Sequence, residues 1–193
     1  MTSAASLRNP DADQFWSELS GPDHCVQIYK DEASFMTALE GFAARRIRQG
    51  DSIVMIATPA HLSALAARLG RNGYDVDVAM RRGQYIALDA AQTLSRFMVD
   101  GWPDKALFSA VVEDVLGPSR RHHHKVRAFG EMVALLWADG LCDAAMQLEH
   151  FWAGLCREKD FSLFCAYPES GFRGDADGAV QQVCAAHSKL YTM

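Results

Sequence analysis

The stretch VRAFGEMVALLW, at residues 126–137, decides the fold. An apolar, strand-like piece ends at Gly130, and a helix follows with Glu131 as its first residue. Open α/β folds keep ligand-contacting groups just past the carboxyl ends of their strands, and a helix N-terminus favours a negative charge. The stretch therefore predicts a strand–turn–helix unit with a site at Glu131.

The same alternation of strands and helices continues on both sides of this unit. Apolar runs of strand length occur at 24–29, 52–57, 74–78, 84–88, 125–129 and 161–166. Helical spacing of apolar residues predicts helices at about 35–49, 59–69, 90–98, 103–116, 131–138, 141–155 and 179–190. Strands that alternate with helices of this length favour βαβ units. We therefore expect a three-layer α/β fold, with a mostly parallel central sheet flanked by helices.

Length and charge limit the function. The chain has 193 residues, 49% of them hydrophobic, which fits a single domain at 21–193 after an extension at 1–20 that is weakly ordered or a short helix. A net charge of −5 does not suggest direct nucleic-acid binding. No apolar run has the roughly 18–20 residues of a membrane span, and the N-terminus lacks the apolar segment of a signal peptide. A cytoplasmic protein that does not bind membranes is expected.

The five cysteines do not suggest a disulfide framework, because their number is odd and no CxxC pair occurs. We interpret most of them as small buried hydrophobic residues. Cys165 would act as a nucleophile only with a base nearby. A zinc site built from His24, Cys25, Cys165, Cys184 and His187 is not expected, because these residues lack the usual close ligand spacings. Neither a metal site nor a cofactor is predicted.

Nucleotide binding in the P-loop manner lacks its main parts, because the chain contains no GxxxxGK[ST] and no GxGxxG. Asp89 follows an apolar run, where nucleotide hydrolases hold magnesium. The more common role of such an aspartate is to cap the next helix, and we favour that interpretation. A degenerate nucleotide-binding protein remains an alternative.

Two glutamates stand out on consecutive predicted helices. Glu149 borders an apolar stripe, so it needs a partner, because an unpaired buried charge is costly. Arg127 is the nearest candidate, either in a structural Arg–Glu pair or in a polar cluster that orients a ligand. Tyr167, at the end of a strand, is placed to carry its hydroxyl into a crevice.

The basic run RRHHHK at 120–125 has two interpretations. A solvated loop is the simpler one. The other is a surface that docks on an acidic partner.

Five segments together resemble one family. HCVQIY, VRAFGEMVALLW, LEHFW, FSLFCAYP and VCAAHS, in this order, are similar to the MEDS family, the sensory domain of methanogens and methylotrophs first described in a dichloromethane-responsive repressor. The resemblance covers roughly residues 24–188. It implies a RecA/KaiC-like core without a phosphate loop, and the sensing of small molecules, often hydrocarbon derivatives. Family members commonly sit beside DNA-binding or histidine-kinase modules.

The resemblance also suggests ligand-binding residues. The polar positions typical of the family correspond here to His24, Asp89, Arg127, Glu131, Glu149, Tyr167 and His187. We expect a ligand at the carboxyl ends of the strands, near Asp89, Glu131 and Tyr167.

The leading hypothesis is a stand-alone sensory or regulatory domain in bacterial signal transduction. It would bind a small molecule and signal through a partner, such as a histidine kinase of a two-component system or another regulator. Catalysis is not expected, and a homo-oligomer is left open. The alternative is a protein-interaction module that regulates a histidine kinase or transcription regulator without a small ligand.

Overall fold

The computed structural model describes residues 15–16, 22–122, 125–172 and 176–191, without the side chains of 118–122, 176 and 177. Its helices, α1 to α8 in chain order, span Glu32–Gln49, Pro59–Arg71, Val76–Arg81, Ala90–Ser95, Lys105–His122, Met132–Ala138, Cys142–Lys159 and Ala176–Ala185. Its strands, β1 to β8, span His24–Tyr29, Ser52–Ala57, Tyr85–Asp89, Met98–Val99, Trp102–Pro103, Val126–Gly130, Ser162–Pro168 and Lys189–Tyr191.

Six of the strands form one sheet in the order β3-β2-β6-β7-β1-β8. All five pairings are parallel. Every residue of β2 is buried, as expected for a strand that helices cover on both faces. The predicted three-layer α/β fold with a parallel sheet is confirmed.

The helices divide between the two faces of the sheet. The side chains of α1 to α3 pack in one apolar cluster with Phe129 and Phe164. Those of α4 to α8 pack in another with Cys165 and Tyr167. Because side chains alternate along a strand, neighbours such as Phe164 and Cys165 belong to opposite layers.

Local signals start and stop the helices. Asp31 accepts a hydrogen bond from the Ser34 N–H at the start of α1, and Gly50 ends the helix with a φ of 79°. Thr58 caps α2, whose first residue is Pro59. The turns from strand to helix are short. Those from β1 to α1, from β2 to α2 and from β6 to α6 have only one or two residues.

Three sequence predictions are wrong in detail. The run at 74–78 is not a strand, because Asp75 caps a helix that starts at Val76. The predicted helices at 90–98 and 103–116 in fact span Ala90–Ser95 and Lys105–His122, because residues 98–103 form the hairpin β4–β5. The turn residues of this hairpin, Asp100 and Gly101, have positive φ. The predicted last helix ends at Ala185, and residues 189–191 add β8 at the sheet edge.

Candidate functional site

A charged group lies at the carboxyl ends of β2 and β6. The Glu131 carboxylate accepts a hydrogen bond from the Thr58 N–H at 2.7 Å and contacts His61 Nδ1 at 2.8 Å. His61 Nε2 lies 2.7 Å from Glu32, whose side chain is 60% exposed. His61 thus bridges a nearly buried and a solvated carboxylate. Glu131 precedes α6 without capping it through its side chain, so its carboxylate is free to hold His61.

This arrangement changes two pKa values. The hydrogen bond to Glu131 raises the pKa of His61 above its ordinary value, against the opposing effect of burial, and Glu32 adds to the rise. Burial, with the charges of Glu32 and Glu131, raises the pKa of Tyr29 to about 12. The two carboxylates therefore favour the imidazolium form of His61.

Glu131→Gln is expected to lower the pKa of His61 toward its ordinary 6.5, because the carboxylate that stabilises the imidazolium is gone. NMR titration of the imidazole resonances measures this value. Glu32→Gln is the matched control and should lower the pKa less, since Glu32 is mostly exposed and water screens its charge. An unchanged His61 pKa in Glu131→Gln would contradict the pairing.

A second polar group is buried between the sheet and α7. His24 comes from the start of β1, Glu149 from α7, Cys165 and Tyr167 from β7, and His187 from the segment after α8. The parallel pairing of β1 with β7, which aligns Val26 with Cys165, brings these distant segments together. Glu149, Cys165 and Tyr167 are fully buried, and the side chains of His24 and His187 are 4% and 0% exposed.

Glu149 is the centre of this group. Its Oε2 lies 3.2 Å from His24 Nε2 and 3.4 Å from His187 Nε2. Its Oε1 accepts a hydrogen bond of 2.6 Å from the Tyr167 hydroxyl. The Cys165 Sγ lies 3.5 Å from His24 Nε2 and 3.7 Å from Glu149 Oε2. We call these five residues the buried cluster.

The buried cluster separates the pKa values of its two histidines. Burial would raise the pKa of Glu149, but the positive charge of His187 and the close contacts of both imidazoles hold it below its ordinary value. Burial opposes protonation of His187, yet the Glu149 carboxylate raises its pKa. Burial dominates at His24 and lowers its pKa. Glu149 and His187 therefore favour each other's charged form, while burial favours the neutral form of His24.

Cys165 is a thiol in this environment. Burial and the nearby Glu149 charge raise its pKa well above the ordinary value. A thiolate is the reactive form of cysteine, so this thiol is a poor nucleophile as it stands.

Arg127 does not pair with either glutamate, contrary to the sequence interpretation. It lies at the opposite end of β6 from Glu131, where it donates hydrogen bonds to Asp51 at 3.4 Å and to Ser162. Asp51 also pairs with Arg46 at 3.7 Å. The sequence interpretation fails because the histidines that satisfy Glu149 come from β1 and from the segment after α8.

Asp89 caps a helix, as the favoured interpretation predicted. Its Oδ1 accepts a hydrogen bond of 2.9 Å from the Gln92 N–H at the start of α4. Asp89 does not join the buried cluster or the His61–Glu131 group.

A small cavity of about 10 Å³ lies between strands β2 and β6 and the helices that pack on them. Apolar side chains form most of its wall, among them Ile56, Phe97, Val112, Met132 and Trp152. Thr93 also lines it, but the Thr93 hydroxyl donates to the Asp89 carbonyl at 2.7 Å. Met132 follows Glu131 in the chain, so the cavity lies just beneath the edge where the sequence places a ligand.

The structure thus distributes the seven predicted site residues over several places. Four of them, His24, Glu149, Tyr167 and His187, meet in the buried cluster with Cys165. Glu131 lies elsewhere with His61 and Thr58, which sequence reasoning did not select. The signal for Thr58 was its position before Pro59 after a buried strand, where a helix-capping side chain and free N–H groups are common.

The family follows from the comparison with family models. Residues 23–188 match the model described as MEDS, the methanogen/methylotroph, DcmR sensory domain. The chain belongs to the MEDS family. This membership confirms the resemblance seen in the sequence and gives the protein a sensory or regulatory role.

Similar solved structures support the fold. An uncharacterized protein of Pyrococcus horikoshii, solved with an unknown peptide, is 11% identical with a TM-score of 0.63, over 93% of this chain and 80% of that one. A KaiC-like protein of the same organism is 10% identical with a TM-score of 0.52, over 77% and 63%. The flagellar accessory protein FlaH of Methanocaldococcus jannaschii is 10% identical with a TM-score of 0.54, over 97% and 80%. These likenesses confirm the RecA/KaiC-like fold of this MEDS domain.

Two further findings complete the comparison. No curated protein matches this chain in sequence. Within the described residues, no helix combines the length and the apolar character that crossing a membrane requires.

Proposed function

We propose that this MEDS domain binds a small, mainly apolar molecule and passes the signal to a regulatory protein, such as a histidine kinase. The observation that carries the proposal is the enclosed apolar cavity beneath the carboxyl edge of the sheet. Apolar cavities stay dry, and larger ones bind small apolar molecules. Hydrocarbon derivatives, which the MEDS resemblance suggests, belong to this class. A cavity of about 10 Å³ has room for about one water-sized molecule, so its walls must move apart to admit a hydrocarbon derivative.

The position of the cavity links it to a surface. Phe97 lines the cavity, and its carbonyl accepts a hydrogen bond of 2.8 Å from the Asp104 N–H across the base of the β4–β5 hairpin. On that hairpin, Val99 and Trp102 are 47% and 50% exposed. A ligand larger than the cavity must displace the side chains that line it. Displacement of Phe97 would then shift the β4–β5 hairpin and its exposed apolar residues. A partner that reads the hairpin would then distinguish two states, as signalling requires.

The basic run at 120–125, the sequence's candidate for docking a partner, lies mostly outside the described side chains. Only Lys125 is described in full, and it is exposed. Docking of an acidic partner there stays a prediction.

We also propose that the domain is not an enzyme. The strand–helix turns at 30–31, 58 and 131 are too short for a glycine-rich phosphate loop. The raised pKa of Cys165 keeps its thiol protonated, which disfavours nucleophilic catalysis.

Matched variants at Val112 test the cavity. NMR of methyl and indole N–H groups would follow a titration with dichloromethane, a small member of the proposed ligand class. Val112→Ile adds one methylene to a cavity of that size and should weaken binding at least about tenfold, a loss of about 1.4 kcal/mol. Val112→Ala enlarges the cavity and should keep or strengthen binding. The Trp102 indole signal should shift on binding if the hairpin responds.

Two results would overturn this function. Dichloromethane that leaves the cavity methyl signals of the folded wild-type protein unchanged would remove the small-ligand part. Equal binding by Val112→Ile and Val112→Ala would place the ligand elsewhere. Either result favours an interaction module that works without a small ligand.

A further inference from the structure

We propose that His24, Glu149, Cys165 and His187 bind a zinc ion in the layer between the sheet and α7. These residues supply two imidazole nitrogens, one carboxylate oxygen and one sulfur, which are the ligand types that zinc prefers. The four ligand atoms all lie within 4.8 Å of one another. None of these four residues lines the apolar cavity, so zinc binding here does not depend on the proposed function.

The distances within the cluster suit a tetrahedral ion. Ligand atoms about 2.0–2.3 Å from a central zinc are about 3.3–3.7 Å from one another in a tetrahedron. The contacts of Glu149 Oε2 with His24 Nε2 and His187 Nε2 measure 3.2 and 3.4 Å. The contacts of Cys165 Sγ with His24 Nε2 and Glu149 Oε2 measure 3.5 and 3.7 Å. Four of the six distances between the ligand atoms are therefore close to those of a tetrahedral zinc site without any rearrangement.

The charges balance when zinc is bound. The two positive charges of zinc would be neutralised by the Glu149 carboxylate and the Cys165 thiolate. Metal ligands must be deprotonated, so binding requires the Cys165 thiol to lose its proton and both imidazoles to be neutral. The fully buried site is then neutral with zinc bound.

Neighbouring groups already orient the ligands. His187 Nδ1 lies 2.7 Å from the Val183 carbonyl, which fixes the proton on Nδ1 and leaves Nε2 for the metal. The Tyr167 hydroxyl donates to Glu149 Oε1, which leaves Oε2 directed at the other three ligands. Backbone carbonyls and hydroxyls in these positions are the usual outer partners of zinc ligands. Tyr167 is thus a positioning residue.

Sequence spacing could not show this site, because its ligands come from β1, α7, β7 and the segment after α8. Cys25, which sequence reasoning grouped with them, lies in the apolar layer on the opposite face of the sheet. Four protein ligands and full burial are typical of structural zinc sites, which have no open position for a substrate. Zinc here would tie α7 to both β1 and β7.

The test starts with the wild-type chain. Protein stripped with a chelator is dialysed against zinc, and bound metal is counted by elemental analysis. One zinc per chain is expected. Cobalt in its place should give the absorption of a tetrahedral ion and a thiolate-to-cobalt charge-transfer band. NMR of the histidine side-chain nitrogens should show Nε2 of His24 and His187 bound to zinc.

Variants identify the ligands. Cys165→Ala should lose the charge-transfer band and bind zinc at least about a hundredfold more weakly, because even a lost outer partner costs about 10- to 100-fold. Cys25→Ala, the matched control, should bind as the wild type does. Tyr167→Phe should keep the band but weaken binding by about 10- to 100-fold.

Three outcomes would overturn the site. The first is that no zinc remains bound to the folded wild-type chain. The second is loss of bound zinc when His122, His123 and His124 are all replaced by alanine, which would assign the metal to that histidine run. The third is wild-type NMR spectra with no zinc effect on His24 and His187, a readout that does not require any variant to fold.

Discussion

Metal-free protein with Glu149→Ala is expected to lose about 3–5 kcal/mol of its free energy of unfolding, as when one partner of a buried ion pair is removed. The variant leaves His187 without its counter-ion and the Tyr167 hydroxyl without its acceptor. It also leaves a space where the carboxylate was. Chemical denaturation of chelator-treated protein at about pH 6 measures the loss.

Glu158→Ala on the same helix is the matched control, because the Glu158 side chain is 67% exposed. Exposed ion pairs contribute little to stability, so a change within about 0.5 kcal/mol is expected there. A loss for Glu149→Ala no larger than that of the control would show that the cluster does not need its carboxylate.

The loss for Glu149→Ala should depend on pH. A carboxyl whose folded pKa is depressed stabilises the protein above its ordinary pKa, 4.5 for Glu149, and this stabilisation is lost as pH falls. A histidine whose folded pKa is raised stabilises it below its ordinary pKa, 6.5 for His187, and this stabilisation is lost as pH rises through the folded pKa. The difference between wild type and variant should therefore be largest from about pH 4.5 to 6.5 and shrink on either side.

Local sequence was sufficient for the main elements of the fold. The alternating run HCVQIY predicted β1, and the apolar run SIVMIA predicted β2, both with the bounds that the structure has. The three-residue strand Lys189–Tyr191 was missed, because an edge strand this short is defined by its pairing with β1 rather than by its own pattern. The hairpin between α4 and α5 was missed for a similar reason, since each of its strands has only two residues.

The candidate site was less predictable than the fold. Resemblance to MEDS proteins selected His24 and His187, and an apolar stripe also pointed to Glu149, but no spacing in the sequence indicates that the three touch. Their contact depends on β1 and β7 being neighbours, which is a property of the strand order. Residues that are close in sequence can also belong to different sites. Arg127 and Glu131 lie on one strand–turn unit, yet Arg127 contacts Asp51 and Glu131 contacts His61. Long-range pairing therefore determines which polar groups form a site.

Trp16→Ala is expected to lose about 3–5 kcal/mol of the free energy of unfolding, as for other fully buried large aromatic residues. Trp16 lies outside the residues 23–188 that match the MEDS model, yet its side chain is fully buried. Its ring centroid lies 4.9 Å from that of Phe164 and 4.8 Å from that of Tyr191. Its carbonyl accepts a hydrogen bond from Arg46. Trp102→Ala is the matched control and should change stability by less than about 0.5 kcal/mol, because Trp102 is half exposed.

Gly41 on α1 provides a second, independent test of the same packing. A Cβ added at Gly41 would lie 3.1 Å from Trp16 Nε1 and 3.2 Å from Trp16 Cδ1, so the indole would have to shift. Gly41→Ala should therefore destabilise the wild type, although alanine is favoured over glycine inside a helix by about 1 kcal/mol. In the Trp16→Ala background the obstacle is gone, and the same substitution should be neutral or stabilising. This change of sign is a coupling between the two positions. Equal effects of Gly41→Ala in both backgrounds would mean that Trp16 does not pack against α1, and that the core of this MEDS domain does not include Trp16.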